Sequence, residues 1–77
     1  MYKYAEFGQF VREKREKMGY SREYLAELSS MSDKCIANIE QGKSNPKLTT
    51  VLEICSSCNI NIGELEKFIV KGFLDEI

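Results

Sequence analysis

The 77-residue chain carries 11 Lys and Arg against 12 Asp and Glu, a net charge of −1, with 43% hydrophobic and 30% charged residues. These proportions describe one small folded domain over residues 1–77 rather than a disordered chain. The longest uncharged stretch, residues 54–63, falls far short of the roughly 20 apolar residues a membrane span needs. The opening Met-Tyr-Lys-Tyr-Ala-Glu-Phe has no apolar signal core, so a cytoplasmic protein is expected.

Apolar residues recur at helical spacing along the whole chain, without strand alternation or hairpin turn signals, which predicts an all-α bundle of four to five helices. The first helix is expected over residues 4–18, with Phe7, Phe10, Val11 and Met18 on its inner side. Gly19 then closes it as a left-handed cap, and Tyr20 packs inward. Ser21 caps a second helix from Arg22 to about Ser29. Ser29, Ser30 and Met31 form a turn, Ser32 caps a third helix, and the Asp33 charge suits that helix's positive end. The third helix runs to Gln41 and ends at Gly42. Leu25, Ala26, Ile36 and Ile39 frame this pair of helices, while Asp33, Lys34, Ala37 and Asn38 fall on the opposite, polar side. That layout over residues 21–42 suits a helix laid in a DNA major groove.

Lys43, Ser44, Asn45 and Pro46 form a loop, and the fixed φ of the single proline is harmless just before a helix. The fourth helix is expected over residues 48–58, burying Leu48, Val51, Ile54, Cys55 and Cys58. A break at Asn59 or an Asn61 cap precedes a fifth helix from near Ile62 to Lys71 or beyond. Residues 1–47 hold 9 Lys/Arg and 7 Asp/Glu, a net of +2, and residues 48–77 hold 2 and 5, a net of −3. A weakly basic front and an acidic back suit a domain that offers one face to phosphates.

Cys35, Cys55 and Cys58 are an odd number of thiols in a chain without an export signal, so free cysteines are expected. Cys55 and Cys58 form a Cys-x-x-Cys pair, but there is no histidine and no second pair to complete a tetrahedral site. Their i, i+3 spacing beside Val51 and Ile54 reads as core packing. With no histidine base, no glycine-rich phosphate loop and no activated thiol, an enzyme is not expected, nor is a metal, cofactor or small-molecule ligand.

An ordered set of residues carries a family resemblance: Phe7-Gly8, Val11 and Arg15; Gly19-Tyr20-Ser21; Leu25-Ala26; Ser32, Ile36, Ile39, Glu40 and Gly42; Asn45-Pro46-Lys47-Leu48, Thr50, Val51 and Ile54. In these the chain resembles the phage Cro and repressor group of helix-turn-helix proteins, the XRE family, over about residues 7–65. The resemblance implies a lambda-repressor-like fold whose third helix enters the major groove. Carried over by position, it places base-edge contacts on Asp33, Lys34, Ala37 and Asn38. Lysine can donate to guanine, asparagine can pair with adenine, aspartate can accept from cytosine, and alanine can touch a thymine methyl. It places phosphate contacts on Arg22, where relatives commonly carry glutamine, and on Ser32, Lys43, Ser44, Asn45 and Lys47. It also implies a structural ion pair between Arg15 and Glu40. Ser30 departs from the pattern, which usually has glycine at a turn position of positive φ.

Two functions follow as expectations. One is a sequence-specific regulator that binds double-stranded DNA at a near-palindromic operator. The other is a protein-interaction module of the same fold with little DNA affinity, favoured by the net acidity and by Asp33. Ile62, Phe68, Ile69, Phe73 and Leu74 give the C-terminal end more apolar surface than so small a monomer covers, which points to a two-fold homodimer through these residues. Light scattering is expected to return the mass of two chains; a single-chain mass would remove this interface.

Overall fold

The computed structural model describes residues 4–44, 46–61 and 63–66. Four helices follow in order: α1 Ala5–Lys17, α2 Arg22–Leu28, α3 Asp33–Glu40 and α4 Leu48–Cys58. Residues 63–66 are also helical, and no strand occurs among the described residues. The expected dimer residues Ile62, Phe68, Ile69, Phe73 and Leu74, and the loop residue Asn45, lie outside the described residues.

The core is built from one side of each helix. Phe7 and Val11 of α1, Leu25 and Ala26 of α2, Ile36 and Ile39 of α3, and Val51, Ile54, Cys55 and Cys58 of α4 are all buried, joined by Tyr4, Ile60 and Leu65. The three thiols are free. Burial raises the pKa of Cys55, and that of Cys58 to about 11, so both stay protonated as small apolar side chains.

Two expected core residues are exposed. Met18 and Leu48 each retain 41% of their surface. Both sit at helix ends, Met18 as the C-cap of α1 and Leu48 as the first residue of α4. Helical periodicity gives the side of the helix they occupy, but the packed layer stops short of those ends. Phe10 is only partly buried at the core margin, where the Lys14 ammonium lies 5.6 Å from its ring centroid. Tyr20 is half-buried and meets Tyr24 edge-to-face, with centroids 4.9 Å apart. Glu64 pairs with Lys14, and the lysine holds its carboxyl below the usual range. Asn61 caps this final run: its Oδ1 accepts from the Glu64 amide at 2.8 Å.

A polar contact crosses the interior between α2 and α4. Ser29, only 1% exposed, donates through Oγ to Ser57 Oγ at 3.1 Å, and Ser57 Oγ donates to the Glu53 carbonyl at 2.9 Å. The sequence reading placed Ser29 in a turn and gave it no such role.

The end of α3 is fixed against α1 at two points. A Cβ on Gly8 would collide with the Ile39 and Glu40 carbonyl oxygens, so only glycine permits this approach. Two turns further along α1, Arg15 Nε donates to Glu40 Oε2 at 2.6 Å, and Nη2 donates to Oε1 at 3.2 Å. Arg15 Nη1 also donates to the Tyr20 carbonyl at 2.8 Å. One guanidinium therefore ties α1, the α1–α2 turn and the end of α3. The two side chains are only 11% and 7% exposed, and the Glu40 hydrogen bond raises the arginine pKa despite burial.

Two predictions follow from these contacts. Arg15→Met keeps the apolar stem but strands the Glu40 carboxylate. Urea unfolding is expected to show a loss of about 3–5 kcal/mol, and a loss within error would show that the pair carries no structural weight. Ser30 occupies φ 56°, a conformation that costs a serine about 1 kcal/mol relative to glycine. Ser30→Gly is expected to raise the free energy of unfolding by about that amount; a lowered value would mean the serine side chain supplies a compensating contact.

Candidate nucleic-acid interface

Two short helices and a tight turn build this surface, and each helix starts at a serine. The Tyr24 amide donates to Ser21 Oγ at 3.0 Å, and the Cys35 amide donates to Ser32 Oγ at 3.1 Å. Each cap satisfies an amide that the first helical turn leaves unpaired. Between the helices, the Ser29 amide donates to the Leu25 carbonyl at 2.9 Å and the Met31 amide to the Ala26 carbonyl at 2.8 Å. Ser30 turns the chain through its positive φ. Leu25, Ala26, Ile36 and Ile39 clamp the helices from inside, with Leu25 and Ile36 fully buried.

The opposite side of α3 is open. Lys34 is exposed, and Ala37 and Asn38 are half-exposed. Their i, i+3 and i+4 spacing makes one stripe. No described part of the chain hydrogen-bonds the Lys34 or Asn38 side chains. The Asn38 backbone carbonyl accepts from the Lys43 amide at 2.9 Å, which fixes the loop directly after the helix. Gly42, with φ 77°, makes that exit possible; a Cβ there would lie 2.6 Å from the Ala5 backbone. Ser32, Lys43 and Lys47 are exposed and Ser44 is half-buried. These residues flank the stripe at both ends in sequence.

The cations divide into two groups. Arg12 pairs with Glu16, Lys14 with Glu64, Arg15 with Glu40 and Arg22 with Asp33. Lys34, Lys43 and Lys47 make no ion pair among the described residues. Lys17 at the end of α1 is unpaired as well, so three of these four unpaired cations sit on α3 and the loop after it. Sequence reasoning treated Arg22 and Asp33 separately and missed their pairing. Arg22 Nε donates to Asp33 Oδ1 at 2.9 Å and Nη2 to Oδ2 at 3.3 Å. Their separation of eleven residues is no recognisable motif; it becomes a contact only through the angle between α2 and α3.

Among the described residues no group of His, Cys, Asp or Glu could hold a metal ion, and no helix is long and apolar enough to cross a membrane. The family model described as Helix-turn-helix matches residues 11–65, more than half of the chain. Among solved structures, the restriction-modification controller protein C.AhdI from Aeromonas hydrophila is 34% identical, with a TM-score of 0.75. The alignment covers 79% of this chain and 92% of that one. No curated protein matches.

Proposed function

The chain belongs to the XRE-type helix-turn-helix family, and on that premise we propose that it is a sequence-specific regulator of transcription that binds double-stranded DNA. It acts as a small stand-alone repressor or autoregulator and occupies a near-palindromic operator as a homodimer. The observation that carries this reading is the open stripe of Lys34, Ala37 and Asn38 on a helix whose inner face is buried. The similarity to a restriction-modification controller supports a regulator of that kind.

Lys34 and Asn38 read base edges, and Ala37 offers an apolar contact to a thymine methyl. Ser32, Lys43, Ser44, Asn45 and Lys47 hold phosphates on either side, setting the register of the helix without reading sequence. Arg22 and Asp33 enter the groove together at the N-terminal ends of α2 and α3. Ile62, Phe68, Ile69, Phe73 and Leu74 join two chains so that their third helices meet successive major grooves, about 34 Å apart. Arg15 and Glu40 hold the reading helix in place.

The test is duplex binding across a salt series, using sequences selected from random DNA. Affinity is expected to fall with a log–log slope near −0.9 per phosphate neutralised. Lys34→Ala and Asn38→Ala are each expected to cost about 1–3 kcal/mol and to relax preference at a single base position. Flat or absent binding, with capture of a protein partner through residues 62–77, would replace this reading by an interaction module of the same fold.

A further inference from the structure

The Arg22–Asp33 fork leaves part of the arginine unused. Nε and Nη2 face the two carboxylate oxygens, which takes up one edge of the guanidinium plane. The other edge carries the Nη1 hydrogens and the second hydrogen of Nη2, and no group among the described residues accepts from it. Arg22 and Asp33 retain 45% and 43% of their side-chain exposure, so the pair stands in solvent where α2 and α3 begin. We propose that Arg22 is the base-reading member of this pair, directing its free edge at guanine O6 and N7, and that Asp33 is its positioning residue.

This inference rests on the DNA-binding reading above. It reverses the division that the sequence alone suggests, in which Arg22 takes a phosphate and Asp33 a cytosine. Three considerations carry it. The free edge is a planar two-donor fork, and guanine presents two acceptors in the major groove at matching spacing. The roles also follow from the side chains. Asp33 is short and sits in the first turn of α3, where the helix dipole favours its charge, so it makes a stiff anchor. Arg22 is long, and clamping it before binding removes much of the ordering cost that a free arginine would meet on DNA. Finally, an aspartate reaching alone into the groove would face phosphate repulsion, whereas the pair is neutral. It contributes base preference with little general attraction to DNA.

The experiment selects bound duplexes from a random pool with the full chain and with Arg22→Ala, Asp33→Ala, Asp33→Asn and the double variant. Because both side chains are exposed, the variants are expected to keep the thermal unfolding midpoint close to that of the parent. The parent is expected to enrich guanine at a position that Arg22→Ala leaves unselected. Asp33→Ala is expected to keep guanine as the preferred base there while lowering its preference about tenfold. Asp33→Asn, which retains one acceptor oxygen, restores part of that preference, and the double variant matches Arg22→Ala. The proposal is overturned if Asp33→Ala changes which base is preferred while Arg22→Ala weakens all sequences equally. It is also overturned if Asp33→Ala tightens binding to every duplex. A parent that enriches nothing at all would instead remove the DNA-binding reading, and this assignment with it.

Discussion

An eight-residue helix has little stability of its own, so the open stripe of α3 depends on what fixes that helix from behind. That constraint is the approach of α1 to the end of α3, where Gly8 brings the backbones together and Arg15 grips Glu40. The same guanidinium reaches the Tyr20 carbonyl, so the entry to α2 is set by the group that sets the exit of α3. Both helices of the helix-turn-helix are thus referred to one point on α1. Apolar contacts from Leu25, Ala26, Ile36 and Ile39 then fill the space that this frame defines.

The charges are organised around the same frame. Among the described residues, Arg12, Lys14 and Arg15 of α1 and Arg22 of α2 have carboxylate partners, whereas Lys17 and the lysines of α3 and the following loop do not. A chain with net charge −1 can therefore present positive charge locally without being basic overall. Binding that draws on a few well-placed lysines gains less long-range attraction than a strongly basic surface would give, and relies more on fit within the groove.

Local features were the most legible in the sequence. The serine caps at Ser21 and Ser32, the left-handed Gly19 and Gly42, and the position of Ser30 are each determined by a few adjacent residues. The core side of every helix followed from spacing. How far the core extends along a helix did not, because periodicity has no information about where a neighbouring helix stops; hence Met18 and Leu48. Contacts between elements were the least legible. The fork between Arg22 and Asp33, the pair of Lys14 with Glu64 and the burial of Ser29 depend on interhelical angles and separations. The pairing of Arg15 with Glu40 has no local signature either, and was expected only through the family resemblance.

The hydroxyl contact between Ser29 and Ser57 bears on how α4 finds its seat. Apolar side chains such as Val51, Ile54, Cys55 and Cys58 make contacts that have no fixed direction. A buried hydroxyl does require one, because displacement would leave its oxygen dry and unmatched. Ser57 is already satisfied by its own helix through Glu53, so that requirement falls on Ser29 alone. The hydroxyl contact thereby adds a directional constraint to the apolar packing that seats the fourth helix.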